Sequence, residues 1–153
     1  MITIEKANQA HALEMAPRMR HDDQLEVWAS SGTTPLEALM RSINSPGEHW
    51  AALDDGKVVA MFGISQRSLL GAKDVGVPWM LGGDGLESNT KVLLRLSRDF
   101  IKEASRQFEV LCNYVDARYT VAIRWLEWLG FTMERAKPYG FEGLPFHRFE
   151  LRR

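Results

Sequence analysis

The sequence predicts a mixed α/β fold, in which a largely antiparallel central sheet is flanked by helices. Two apolar runs flank Asp55-Gly56, a dipeptide typical of tight hairpin turns. An apolar stripe recurs at four-residue spacing over Val92, Leu96, Phe100 and Ala104, with Leu93 and Ile101 beside it, which predicts a helix of about four turns. The predicted elements follow the order β-αα-ββ-β-α-β-α-ββ, and we expect residues 1–153 to form one domain.

The chain opens with a predicted strand and a helix. Ile2 and Ile4 alternate with polar residues, as in a half-buried strand. Asn8 is a suitable cap for a helix that runs towards Arg18. Pro17 limits this helix, because proline interrupts the helical hydrogen bonds.

Two further helical segments precede the hairpin. The first follows a pair of aspartates, carries Leu25 and Trp28, and ends at Gly32. The second begins with a capping box, formed by Thr34 and by Glu37 three residues later. These signals predict a helix start at the residue after Thr34.

The second half of the chain alternates strands and helices. A loop at Gly71–Asp74 precedes a predicted strand over 75–81, and a glycine-rich loop leads into the long helix. On that helix, the residues predicted to face water are Lys91, Arg95, Arg98 and Lys102. A buried strand, a helix that Gly130 stops and two final strands follow, and we expect Lys137–Gly140 to separate those two strands.

The composition excludes several classes of protein. The formal net charge of −1 lacks the basic field that binding to a phosphate backbone requires, so no nucleic-acid partner is expected. The longest apolar run, residues 58–64, is far below the roughly 20 residues of a membrane-spanning helix. The N-terminus lacks the apolar segment of a signal peptide. Cys112 is the single cysteine, which excludes an internal disulfide and a cysteine-based zinc site, and no metal site is predicted.

The segment DARYTVAIRWLEWLGF, residues 116–131, carries a family likeness. Ala122, Ile123, Gly130 and Phe131 match a pattern that is common after the fifth strand of the GNAT (Gcn5-related N-acetyltransferase) superfamily. Together with the element order, this segment resembles the GNAT fold. Residues 79–101 and 113–131 also resemble GNAT-like proteins of tailed bacteriophages, grouped with internal virion protein A of podoviruses.

The resemblance implies acetyl-CoA as a co-substrate. In the family, the loop before the long helix binds the pyrophosphate, and here Gly85, Ser88 and Thr90 stand at its three pattern positions and depart from the usual residues. Asp84 and Glu87 are expected to oppose an anion there and to weaken binding. The residues expected to contact the co-substrate are Met80, Leu81, Gly85, Ser88, Asn89, Thr90 and Lys91.

The resemblance also suggests catalytic candidates. The family's usual acid position is Leu126, which cannot donate a proton, so Tyr119 or Tyr114 is left as a substitute, or else as a half-buried aromatic residue with a satisfied hydroxyl. Asp116 is the best-placed base, unless it only caps the following helix or turn. Asn113 is a candidate for polarising a water molecule. Further acceptor-site candidates are Trp79 and Tyr114, and more distant base candidates are Glu48 and His49.

Two functions remain open from the sequence. One is a phage-type acyl-CoA N-acyltransferase that transfers an acetyl group from acetyl-CoA to an amine acceptor. The other is a catalytically degenerate GNAT-like virion or infection-stage protein, which binds a host or virion protein. The resemblance places either in the host cytoplasm, with packaging in the virion as a further expectation.

Overall fold

A computed structural model describes residues 1–67 and 74–153. Its strands form one sheet in the order β1-β2-β3-β4-β5-β8-β6, and β7 also pairs with β8. The strands are β1 (Ile2–Lys6), β2 (Gly47–Asp54), β3 (Lys57–Arg67), β4 (Val75–Gly82), β5 (Val110–Asp116), β6 (Thr132–Met133), β7 (Lys137–Tyr139) and β8 (Leu144–Arg152). The α-helices are α1 (Gln9–Met15), α2 (His21–Ser31), α3 (Pro35–Ile43), α4 (Thr90–Gln107) and α5 (Thr120–Trp128). The predicted fold class is confirmed, while the loop predicted at Gly71–Asp74 lies, except for Asp74, outside the described residues.

Helices cover both faces of the sheet. The helices α1 and α3 pack on one face, around buried Met15, Leu39 and Met61. The helices α4 and α5 pack on the other face, where Ile101 and Leu111 are buried. Across 1–67 and 74–153, no helix combines the length and the hydropathy that crossing a bilayer requires.

The sheet opens between β4 and β5. This pair is parallel, whereas every other strand pair in the described sheet is antiparallel, and its register contains only Val75 with Val110 and Gly76 with Leu111. Pro78 lies two residues beyond the last pair. A proline cannot donate a hydrogen bond to a neighbouring strand. Its place inside a central strand is therefore compatible with the gap that opens there.

The N-terminal helices begin as predicted. Asn8 accepts a hydrogen bond from the backbone N–H of His11, and Thr34 accepts one from that of Glu37. Each capping box is completed by a side chain that accepts from the cap's own N–H. The first helix ends at Met15, earlier than predicted, because the segment around Pro17 tightens into a 3-10 turn over Ala16–Arg18. The region contains three α-helices, which match the three helical segments identified along the sequence, although the predicted element order counts only two.

Helix α2 buries Asp23 together with the apolar Val27 and Ala29. Asp23 is only 5% exposed, whereas Leu25 and Trp28 are 42% and 46% exposed. Helices on a protein surface usually bury the apolar side. In α2 the buried face is thus mixed, and it carries the Asp23 carboxylate into the interior.

The apolar stripe predicted on α4 is wrong at its first position. Val92 is 44% exposed, and the buried residues of the helix are Leu93, Ile101 and Ala104. A helix has 3.6 residues per turn, so a strict four-residue spacing rotates by about 40° at each step. Val92 consequently lies about a third of a turn away from Ala104, whereas Leu93 lies on the same face of the helix as Ala104.

The C-terminal segment differs from the prediction in one place. Gly130 has a φ of +102° and ends the α5 segment as predicted, and Phe131 behind it is buried. Lys137–Tyr139, however, forms strand β7 and does not separate two strands. Pro138 is tolerated because β7 pairs only with β8 among the described strands, so its missing N–H can face away from the sheet. The turn lies at Gly140–Gly143 instead.

Candidate active site

A cleft occupies the gap between β4 and β5. Its volume is about 610 Å³, and its walls include residues of α2 and α3 on one face of the sheet and of α4 and α5 on the other. Asn113 of β5 spans the gap, since its Nδ2 donates to the carbonyl oxygen of Pro78 at 2.7 Å. The predicted catalytic residue Asn113 therefore lies in the cleft, where its amide ties the two strands together.

The open edge of β4 faces this cleft. The backbone N–H of Gly82 donates to Asp23 Oδ2 at 2.8 Å, and the Gly82 carbonyl accepts from the N–H of Arg20 at 2.8 Å. Alternate residues of a strand turn their backbone groups to the same side. The N–H and C=O of Met80 thus also face the gap. At this open edge, Met80 therefore supplies a backbone N–H and C=O with which a bound molecule can form hydrogen bonds.

Helix α2 closes the wide end of the gap. It is tied to β4 at its start by the two Gly82 bonds. In the middle, Glu26 Oε2 accepts from the N–H of Asp116 on β5 at 3.1 Å. At its end, the carbonyls of Ala29 and Ser30 accept from the N–H groups of the β7–β8 turn, at 3.1 Å each. These bonds fix the acidic side of α2 over the cleft.

Carboxylates line the cleft, and two of them, Glu26 and Asp23, have a pKa that burial raises. Burial raises the pKa of Glu26 to about 7, and the nearby negative charges of Asp23 and Asp116 add to the rise. Burial also raises the pKa of Asp23, although the Gly82 hydrogen bond and the charge of Arg20 oppose it. Only one Glu26 oxygen is bonded within the described residues. The other is available to accept a proton from a molecule in the cleft.

Asp116, the predicted base, is already paired. Its carboxylate accepts from Nε and Nη2 of Arg118, with the shortest contact at 2.7 Å, and from the Arg118 backbone N–H at 2.8 Å. Burial alone would raise the pKa of Asp116, but the hydrogen bonds from Arg118 outweigh it and lower the pKa. This arrangement favours the turn-capping role left open by the sequence. Catalysis by Asp116 stays a prediction.

Removing the Asp116 carboxylate should destabilise the fold. Asp116→Ala is expected to lower the free energy of unfolding by about 2 kcal/mol at pH 7, because Arg118 loses its buried acceptor. Asp116→Asn keeps one acceptor and should cost less. The lowered pKa means that this stabilisation is present above the ordinary carboxyl pKa and is lost as the pH falls through the folded value. Urea denaturation of the wild-type protein and both variants at pH 7 and pH 3 measures these losses of stability. An equal loss for Asp116→Ala at the two pH values would contradict a stabilising role of the Asp116–Arg118 ion pair.

Tyr119 lies at the start of α5 and lines the cleft. Burial and the nearby Asp23 carboxylate raise the pKa of its phenol well above the usual range, so the group stays protonated. The guanidinium of Arg20 lies 5.7 Å from its ring centroid. Tyr119 is thus a proton-bearing group of the cleft, while Leu126 at the family's usual acid position packs in the apolar cluster beside it. Its catalytic role stays a prediction.

The predicted acceptor residues line the cleft on opposite sides. Trp79 Nε1 donates to His49 Nδ1 at 3.1 Å, and His49 Nε2 lies 2.9 Å from the Ser45 carbonyl. His49 therefore orients Trp79 and has both ring nitrogens in use. Tyr114 stacks on Tyr139, with ring centroids 3.9 Å apart and planes at 12°. Trp79 is thus held by its hydrogen bond to His49, and Tyr114 by its stacking on Tyr139.

The predicted co-substrate residues divide into two groups. Met80, Leu81 and Thr90 line the cleft, and Gly85 and Ser88 line a neighbouring cavity of about 430 Å³. Asn89 and Lys91 line neither. The Thr90 hydroxyl donates to the Glu87 carbonyl at 2.9 Å, and the Asn89 amide donates to the Gly85 carbonyl and to Asp54. Asn89 thus holds the loop in shape. The assignment of these residues to co-substrate binding stays a prediction.

The sequence prediction missed Asp23, Glu26 and Tyr139. Asp23, Glu26 and Ser30 recur at three and four residues, the spacing of one helical face. That polar face was a usable signal. Which side of α2 points inwards depends on tertiary contacts, and the neighbouring Leu25 and Trp28 suggested the wrong side.

Comparison with known proteins supports the fold. No family model matches the sequence, and no curated protein matches it. A GCN5-related N-acetyltransferase from Kribbella flavida has a TM-score of 0.72 and 20% identity, covering 99% of this chain and 98% of that chain. A ribosomal-protein-alanine N-acetyltransferase from Brucella melitensis has a TM-score of 0.75 and 17% identity, with 99% of both chains covered. An acetyltransferase from Salmonella typhimurium, solved with its cofactor acetyl-CoA, has a TM-score of 0.69 and 18% identity over 99% of this chain and 93% of that chain. The chain therefore has the fold of the GNAT acetyltransferases.

Proposed function

We propose that this chain is an N-acetyltransferase that transfers an acetyl group from acetyl-CoA to a primary amine. The observation that carries the proposal is Glu26, a carboxylate with a pKa of about 7 that faces the cleft between the separated strands. A general base works best when its pKa lies near the working pH. The similar fold of a protein solved with acetyl-CoA supports the choice of acetyl donor.

The proton movements assign roles to three groups. A protonated amine must lose a proton before its nitrogen can form a bond to the acetyl carbon, and the free oxygen of Glu26 accepts that proton. Bound acetyl-CoA supplies the acetyl group, whose carbon–sulfur bond breaks. The leaving sulfur departs as a thiolate, to which the hydroxyl of Tyr119, kept protonated by its raised pKa, can donate a hydrogen bond, and solvent then supplies the proton. The N–H of Met80 is positioned to hold a carbonyl oxygen at the open edge of β4.

The residues present fit an acetyl-CoA molecule. No side chain caps α4 within the described residues, so its first N–H groups remain available to an anion. Asp84 was expected to repel a pyrophosphate, but Arg18 and Lys57 pair with its carboxylate and neutralise it. The loop therefore opposes acetyl-CoA binding less than the sequence suggests, although Glu87 remains as an acidic residue in it.

Acetyl-CoA should raise the melting temperature of the protein. A ligand that binds only the folded state adds about 2.7 kcal/mol of stability at a hundred times its Kd. Thermal denaturation with up to millimolar acetyl-CoA measures the shift, and adenosine, which lacks the pyrophosphate and the thioester arm, is the control. The absence of a shift at millimolar acetyl-CoA would reject the proposed function.

A second candidate is a binding protein that keeps the scaffold without turnover. Leu126 at the usual acid position favours it, and so does Asp23, which occupies the Gly82 N–H at the open edge of β4. This candidate predicts that no acetylated product forms, whether or not acetyl-CoA binds. Detection of product above the uncatalysed rate excludes it.

The phage-like segments support a proposed origin and location. We infer, from the resemblance of residues 79–101 and 113–131, that the chain either acts in the cytoplasm of an infected host or is packaged in the particle. If it is packaged, mass spectrometry of purified particles should detect its peptides. Their absence would count against packaging and would leave the acetyltransferase proposal unaffected.

A further inference from the structure

Two aromatic walls face each other across the β4–β5 gap. Gly76 and Leu111 are register partners, and a side chain at position 76 would contact Leu111, so both face α4. Because side chains alternate along a strand, Trp79 and Tyr114 face the opposite side, towards α1–α3. Tyr139 extends the second wall by stacking on Tyr114.

Acidic residues outnumber basic ones in the lining of the cleft. The residues of the cleft that carry a negative charge when ionised are Asp22, Asp23, Glu26 and Glu87, against the cations Arg20 and Arg41. Arg20 lies over the ring of Tyr119, next to Asp23. An excess of negative charge beside aromatic faces favours a positively charged guest.

The two tyrosine hydroxyls of the walls, at the ring edges, have no hydrogen-bond partner within the described residues, whereas other polar groups of the cleft are already paired. Both hydrogen-bonding ends of the Asn113 amide are used, by Pro78 and by the N–H of Tyr114. The hydroxyl of Ser31 at the rim donates to the Val27 carbonyl at 3.2 Å. Methylene groups of a guest can pack on the aromatic faces without a polar partner, whereas amide groups next to its amine would need several and find mainly these two hydroxyls.

We propose that the acceptor is an unbranched aliphatic primary amine, whose methylenes lie between Trp79 and the Tyr114–Tyr139 stack and whose ammonium group reaches Glu26. The inference rests on the proposed function and names its acceptor class. Two sources share this chemistry, free alkylamines and lysine side chains. An α-amino group at a peptide N-terminus is the alternative that the walls disfavour.

The dependence on chain length tests the proposal. For propylamine, butylamine, pentylamine and hexylamine, kcat/KM should rise about threefold to fourfold per added methylene, the ratio expected when each CH₂ is buried. An N-acetylated lysine amide and a lysine-containing peptide distinguish a free from a protein-bound acceptor. A peptide with only an α-amine should react at least tenfold more slowly than pentylamine. A flat series, or a preference for the α-amine, would overturn the proposal.

Substitutions of aromatic residues test whether the cleft causes the dependence of kcat/KM on amine length. Tyr139→Ala should flatten the series, since it removes half of one wall, while Tyr139→Phe should retain it. Trp128→Ala removes an exposed aromatic residue of α5 outside the cleft and should leave the series unchanged. A flat series with measurable turnover rejects the acceptor class alone. No turnover with any amine and no acetyl-CoA binding rejects the proposed function as well.

Discussion

Glu26→Gln is expected to lower kcat/KM for acetyl transfer on the order of 10³-fold, with the affinity for acetyl-CoA nearly unchanged. Glutamine keeps the size of the side chain and can still accept the N–H of Asp116, but it cannot take a proton from the amine. The rate of the wild-type protein should rise with pH through about 7, the pKa of Glu26, and this limb should vanish in the variant. Steady-state kinetics between pH 5.5 and pH 9 measures both effects.

The same substitution should stabilise the fold at high pH. The pKa of Glu26 is raised on folding from 4.5 to about 7, so the folded state holds the proton more tightly in that range. The wild-type protein therefore loses stability as the pH rises from 4.5 to 7, and the variant does not. At pH 8 the variant should melt at a higher temperature, and at pH 4 the two should converge.

Glu127→Gln is the matched control for this pair of effects. Glu127 is exposed on α5, away from the cleft, so neither rate nor melting temperature should change. If Glu26→Gln retained full activity and the limb near pH 7, Glu26 would not be the base. Asp116→Asn would then be the next variant to measure.

Gly63→Ala is expected to lower the free energy of unfolding by about 3 kcal/mol. A Cβ at this position would lie 2.4 Å from His49 Nδ1 and 2.5 Å from the Glu48 carbonyl oxygen. Nδ1 is the atom that accepts the indole N–H of Trp79. The extra methyl group therefore strains β2 against β3 and displaces the side chain that orients one wall of the cleft.

Urea denaturation measures the loss, and the amine series reports the displaced wall. We expect a smaller rise in kcat/KM per methylene for Gly63→Ala than for the wild-type protein. Gly143→Asn is the control, because, apart from its chain neighbours, no atom of residues 1–67 and 74–153 lies within 4 Å of a Cβ there and asparagine tolerates its φ of +67°. An unchanged stability of Gly63→Ala would contradict the tight packing of His49.

The local signals of the sequence predicted most of the fold. Asp55-Gly56, Asn8, Thr34 and Gly130 act through their own backbone conformation or through neighbours a few residues away, so the chain alone reveals them. Helix phase was less secure, as Val92 illustrates. Pro78 is a sequence signal for the gap, because a proline inside a central strand indicates a missing hydrogen-bond partner on one side.

The candidate site could be predicted only in part. The side chains of β4 and β5, such as Trp79 and Asn113, reach the cleft because strand order brings them there. Glu26 depends on how α2 is tied to Gly82, Asp116 and the β7–β8 turn, which are all distant in sequence. The position of Asp116 at the end of β5 predicts a base, whereas its ion pair with Arg118 depends on the folded conformation of the turn.

Direct detection of product tests the central claim, that this cleft transfers an acetyl group to an amine through Glu26. The purified protein is incubated with acetyl-CoA and pentylamine at pH 8, and mass spectrometry follows N-acetylpentylamine. We predict product with the wild-type protein and with Glu127→Gln, and a loss on the order of 10³-fold with Glu26→Gln. Formation of product at the uncatalysed rate by the wild-type protein, or at equal rates by Glu26→Gln and the wild-type protein, would contradict the claim.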